Sequence, residues 1–197
     1  MMELSVQENM FENKDIMIYD NSNPEEFQEF LSSVSGSKVC FTGHRPSSLP
    51  WGYNENCELC TIFKQKLEHV VESLINAGLN SFISGLALGF DTISAETVLK
   101  LKDKYPQINL VLAIPCKNQS TIWKEEAKER YENIVMRATH KVFVSEFYSP
   151  SCFIKRNRYM VDNSDLIVAC YDHYSKGTNS TIEYALKKSK KILILRP

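Results

Sequence analysis

No stretch of the 197 residues stays apolar for long. No uninterrupted hydrophobic run reaches the roughly 18 residues of a membrane span, so no membrane partner is expected. An excess of charge of one sign is also missing: 23 basic residues face 24 acidic ones, a formal net charge of −1. Surfaces that track phosphate backbones usually leave a basic excess, and on this ground a nucleic-acid role is not expected. Met1–Met10 carries Glu3 and Glu8 but no Lys or Arg, which is not how a secretory signal begins. The cytoplasm is the expected compartment. Metal-ligand spacing is lacking too. Of six cysteines only Cys57 and Cys60 form a C-x-x-C, and no second pair accompanies them. A structural zinc site needs that second pair, so incidental or structural use is favoured over metal or redox chemistry. His44, His69, His140 and His173 form no metal-spaced set.

What is present is an alternation of short apolar runs and longer helical patterns. At 43% hydrophobic and 24% charged residues, the composition is that of an ordinary globular protein. Strands are expected at Val39–Thr42, Ser81–Ser84, Ile108–Ile114, Lys141–Ser145, Leu166–Tyr171 and Ile192–Leu195. Helical spacing is expected over Leu59–Ala77, Thr92–Tyr105, Thr121–Ala138, Ser149 to about Asn163, and Thr181–Ser189. Strands alternating with helices imply βαβ units. The expected fold is therefore α/β and Rossmann-like, a mostly parallel sheet of about six strands with helices on both faces. Residues 37–197 would form this domain. Residues 1–36 read as an accessory extension, with a short strand within Lys14–Asp20 and a helix over Pro24–Val34.

Glycine is scarce, only seven residues, and four of the seven fall at strand-to-helix junctions. The first junction is Thr42-Gly43-His44-Arg45-Pro46. The second runs from Ser84-Gly85 through Gly89 to Asp91. The third is Gly177-Thr178-Asn179-Ser180-Thr181. Each would offer backbone N–H groups at a helix N-terminus, where anions are favoured. In a parallel sheet all three lie at the carboxyl edge, so they are expected to converge on a phosphate-bearing ligand. None is a dinucleotide G-x-G-x-x-G or a Walker loop. Taken singly, each is equally well an ordinary tight turn.

Other side chains carry open alternatives. On the helix after Ser149, Asn157 is a polar member of an apolar stripe, either a satisfied interior amide or a ligand contact. Arg156 and Arg158 project elsewhere, and one of them is a candidate for an anionic ligand. Asp91 reads as a helix-start residue or a ribose-hydroxyl acceptor. Glu183, expected in the first turn of the last helix, complements the helix dipole or acts as a general acid/base or ribose contact. His44 could bind phosphate or move a proton. Trp51 and Tyr53 would stack on a base or fill a loop core.

With these residues in hand, the chain resembles the SLOG superfamily, which joins Smf/DprA-type DNA-processing proteins with the "lonely guy" phosphoribohydrolases. Within it the chain is similar to the YpsA/YoqJ-like branch of bacterial and phage-borne proteins. The matching segments are Phe41–Pro46 with Leu49–Tyr53, Ser84-Gly85 with Gly89–Asp91, Ala113–Cys116, Arg156–Asp162, and Gly177-Thr178 with Thr181. The resemblance implies a Rossmann-like fold that binds a nucleotide or nucleotide-derived ligand, and by analogy a homodimer. It names no further cofactor. The ligand set expected on this basis is Thr42, Gly43, His44, Arg45, Ser84, Gly85, Gly89, Asp91, Asn157, Arg158, Gly177, Thr178, Thr181 and Glu183. The phosphoribohydrolases carry Pro-Gly-Gly-x-Gly-Thr-x-x-Glu, whereas Lys176–Glu183 has one Gly, no Pro and a longer Thr-to-Glu gap. A binding or sensor protein is therefore the leading expectation. An N-glycosidic hydrolase using Glu183 is the first alternative, and an adaptor that contacts a protein partner through residues 1–36 is the second.

Overall fold

A computed structural model describes residues 13–20, 22–172 and 175–197. The readings of Met1–Met10 and of His173 lie outside these residues. Seven strands form one sheet: β1 (Ile16–Ile18), β2 (Lys38–Gly43), β3 (Ser81–Ser84), β4 (Asn109–Ile114), β5 (His140–Phe143), β6 (Leu166–Cys170) and β7 (Lys191–Leu195). Their order is β1-β7-β6-β2-β3-β4-β5, and every pairing is parallel. The helices are α1 (Pro24–Ser32), α2 (Glu58–Asn76), α3 (Phe90–Lys102), α4 (Glu125–Arg137), α5 (Cys152–Asp162) and α6 (Lys176–Lys187). The Rossmann-like α/β fold is as the sequence led one to expect.

The two faces of the sheet follow from side-chain alternation along each strand. Val39, Phe41, Phe82, Leu166, Val168 and Leu193 point to one core, where Phe27, Phe63, Leu67, Ile93 and Ile134 of α1 to α4 meet them. Cys40, Ile83, Ile167, Ala169, Ile192 and Ile194 point to the other, against Met160 and Val161 of α5 and Ile182 and Ala185 of α6. Covered on both sides, β6 is buried at all five positions, which is why it reads as a continuous apolar run.

Three details differ from the sequence reading. The sheet has seven strands rather than about six, because Ile16–Ile18 adds an edge beside Ile192–Ile194 of β7. Residues from the segment read as an extension thus complete the sheet, and Phe27, Phe30 and Leu31 of α1 pack into its core. α5 starts at Cys152, since Ser149 caps a turn (Cys152 N–H donates to Ser149 O, 3.0 Å) rather than the helix. The last helix starts at Lys176, not Thr181, with Ser175 as its N-cap. Glu183 therefore sits about two turns in, where the dipole of the N-terminus no longer acts on it.

Candidate functional site

The chain runs from β2 outward through β3, β4 and β5, then returns to place β6 on the opposite side of β2. The carboxyl ends of β2 and β6 are therefore the topological switch point, where open α/β sheets form their ligand crevice. A cavity of about 530 Å³ lies there, bounded by the end of β2, the start of α3 and the facing sides of α5 and α6.

Its floor is an ion pair. Asp91, in the first turn of α3, faces Arg156 of α5, with Nη1 3.2 Å from Oδ2. Both side chains are almost fully buried and both line the cavity. Burial pushes the Asp91 carboxyl up, against the pull of Arg156 and Arg45, and burial pushes the Arg156 guanidinium down, against the pull of Asp91. Arg156 Nε has no hydrogen-bond partner among the described residues. A buried donor without a partner is costly.

The loop before α3 is closed by its own contacts. Ser84 Oγ donates to Asp91 O (2.8 Å) and accepts from Leu86 N–H (3.1 Å). Thr92 Oγ1 donates to Ala87 O (2.8 Å), and Gln119 Nε2 donates to Leu86 O (2.5 Å). Glycine serves this closure. A Cβ on Gly85 would lie 1.5 Å from Arg156 Nη1. Gly89 has φ +96°, and a Cβ there would lie 2.5 Å from His44 O. Ser84, Gly85 and Gly89 thus hold the protein to itself and do not line the cavity.

The opposite wall is open. α6 begins with Ser175 Oγ accepting from Thr178 N–H (3.4 Å). Gly177 borders the cavity, and a Cβ added to it would meet nothing among the described residues within 4 Å. Asn157 Nδ2 donates to Thr181 Oγ1 (2.9 Å), and that hydroxyl donates to Gly177 O (3.1 Å), so α5 fixes the first turns of α6. Arg158 lies over the Tyr184 ring, 5.3 Å from its centroid. Five basic side chains line the cavity, Arg45, Arg156, Arg158, Lys176 and Lys187, against the carboxylates of Asp91 and Glu183.

Of the residues expected from sequence, Thr42, Gly43 and Arg45 reach the cavity from β2 and its loop, and Asp91 reaches it from α3. Asn157, Arg158, Gly177, Thr178, Thr181 and Glu183 reach it from the two helices. His44 does not. Its ring is fully buried beside Tyr171 (6.1 Å between centroids), and Nε2 lies 2.7 Å from Asp172 Oδ1. Trp51 packs on Phe63 at 5.1 Å, filling the loop core, while Tyr53 is exposed. The floor role of Arg156 and the wall positions of Lys176 and Lys187 were not read from sequence. The early cap at Ser175 would have placed both lysines on the cavity side. Arg156 gave no local signal, because its partner lies on another element.

Among the described residues, no group of three His, Cys, Asp or Glu side chains is placed to hold a metal ion, and no helix is long and apolar enough to cross a membrane.

Comparison with known proteins matches a family model described as the YspA SLOG family to residues 39–193. The SPbeta prophage-derived protein YoqJ of Bacillus subtilis (strain 168) is 36% identical over 137 residues, covering 63% of this chain and 80% of YoqJ. A UPF0398 protein of Bacillus thuringiensis (strain Al Hakam) is 29% identical over 156 residues, covering 78% of this chain and 84% of that protein. Among solved structures, DNA processing protein A of Helicobacter pylori, described for its single-stranded DNA binding mode, superposes with TM-score 0.56 at 20% identity, over 85% of this chain and 68% of that one. DNA processing protein A of Streptococcus pneumoniae gives TM-score 0.58 at 18% identity, over 85% and 52%.

Proposed function

The chain belongs to the YspA SLOG family, and from that premise we propose that its switch-point cavity binds a phosphate-bearing, nucleotide-like small molecule. One observation carries the reading: the N-terminus of α6 and an excess of cations share one cavity. Helix N-terminal amides and arginine are the groups that hold phosphate elsewhere. Arg45, Lys176 and the Gly177 amide would hold phosphate, and Glu183 would take a sugar hydroxyl. Thermal shift and calorimetry across a nucleotide panel test this. Stabilisation of the wild type that Gly177→Asp abolishes is expected, since that carboxylate would stand among the phosphate contacts. No shift with any nucleotide, or equal shifts for both proteins, would count against it.

A second reading rests on Glu183, whose exposed carboxylate borders the same cavity. As a general acid/base it would cleave an N-glycosidic bond. Release of free base from a nucleoside monophosphate, lost in Glu183→Gln, would support it, and no turnover at high enzyme concentration would remove it. A single-stranded oligonucleotide belongs in the binding panel, because one structural neighbour binds such DNA. The adaptor reading is tested by removing residues 1–12, which leaves β1 and α1 in place, and comparing captured partners.

A further inference from the structure

The cavity extends along α6. Lys176, Ser180, Glu183 and Tyr184, and Lys187 line it at spacings of three and four residues, so one whole face of α6 forms its wall. Three turns of helix separate the two lysines, a rise of about 16 Å. Phe153, Asn157, Arg158 and Met160 of α5 run along the facing side. The site is a groove between two helices.

Its cations stand at both ends. At the sheet edge are Arg45 and Lys176. At the far end is Lys187, with Arg158 between them on the α5 side. Arg45, Arg158, Lys176 and Lys187 have no carboxylate at ion-pair distance among the described residues. Nearby Lys188, which does not line the groove, is 3.7 Å from Asp162. Basic side chains without an ion-pair partner among the described residues thus stand at both ends of the groove, with Glu183 one turn from Lys187.

We propose that the groove takes an anion with two charged ends, a bisphosphorylated ligand of dinucleotide length, with one phosphate at the α6 N-terminus and the other at Lys187. This rests on the phosphate-binding reading above and adds the second subsite. On the α5 side, half-buried Phe153 would offer apolar surface to the sugar or base portion.

The test is calorimetry with three probes: adenosine 5′-monophosphate, the bisphosphorylated dinucleotide pApAp, and a dodecamer of deoxyadenosine. The dinucleotide should bind about tenfold more tightly than the monophosphate, the value of one added charge-assisted contact. Lys187→Ala should remove that gain, bringing the dinucleotide to the affinity of the monophosphate, and Lys187→Arg should retain it. Equal affinities for the two short probes, indifferent to Lys187→Ala, would overturn the second subsite while leaving the phosphate reading intact. If neither short probe binds, both fail. If the dodecamer binds more tightly than pApAp, the groove is one stretch of a longer track and the two-ended ligand is excluded.

Discussion

Two strand-to-helix junctions meet at the carboxyl edge of the sheet, and they use glycine in opposite ways. Between β3 and α3, Gly85 and Gly89 let the chain press against itself: one lies under the Arg156 guanidinium, the other against the His44 carbonyl. At the start of α6, a Cβ on Gly177 would meet nothing among the described residues within 4 Å. The first junction is filled by the protein's own hydrogen bonds. The second leaves its surface to the cavity. The same residue type in the same kind of loop therefore marks packing in one place and access in the other, and only the neighbours distinguish them.

Substitutions should widen or collapse this contrast. The largest effect is expected for Arg156→Ala, which leaves the Asp91 carboxylate buried without its partner. A loss of about 3–5 kcal/mol is typical when one member of a buried pair is removed, and urea unfolding would read it. A loss below about 1 kcal/mol would mean that Arg45 or water takes over. Gly85→Ala should follow, with about 1–3 kcal/mol as its methyl displaces the guanidinium. Gly177→Ala should have the opposite sign. In open space and helical backbone, alanine is favoured over glycine by about 0.5 kcal/mol, so the melting temperature should rise slightly. Were Gly177→Ala as damaging as Gly85→Ala, the contrast between the junctions would be lost.

The smallest expected effect is on pH dependence. Burial holds the Asp91 carboxyl above its ordinary range, so between about pH 4 and that raised value the folded chain keeps a proton that the unfolded chain has released. The resulting stabilisation is complete below the ordinary aspartate value and fades as pH rises through the raised one. The double variant Asp91→Asn/Arg156→Gln should flatten urea midpoints across this window. An unchanged slope would place the titrating group elsewhere.

Legibility in the sequence follows the range of the interaction that decides each feature. Strand positions were legible because apolar residues supply both cores by simple alternation, as at Val39-Cys40-Phe41. A short strand within Lys14–Asp20 was legible too, but its partner was not, since it pairs with the last strand. The α6 start was misjudged because Gly177 lowers helix propensity and only the cap made by Ser175 offsets it. His44 looked chemical in a glycine turn, yet Asp172 from the far side of the switch point draws it inward. Which of Arg156 and Arg158 would face a ligand stayed open for the same reason: the carboxylate beside Arg156 belongs to α3. Convergence of the loops was readable, but which side chains they would spend on one another was not.

The pairing of β1 with β7 also fixes an order of events during synthesis. β2 to β5 leave the ribosome in sequence and can pair as neighbours at once. β1 emerges before all of them and must wait for the final strand, because Ile16–Ile18 has only Ile192–Ile194 to bond to. Until β7 arrives, Met17 and the α1 side chains Phe27 and Leu31 have an incomplete core to enter. A strand made before β2 is thus among the last to be secured, and that interval is when a nascent copy is most open to chaperones or to a neighbouring chain's unpaired edge.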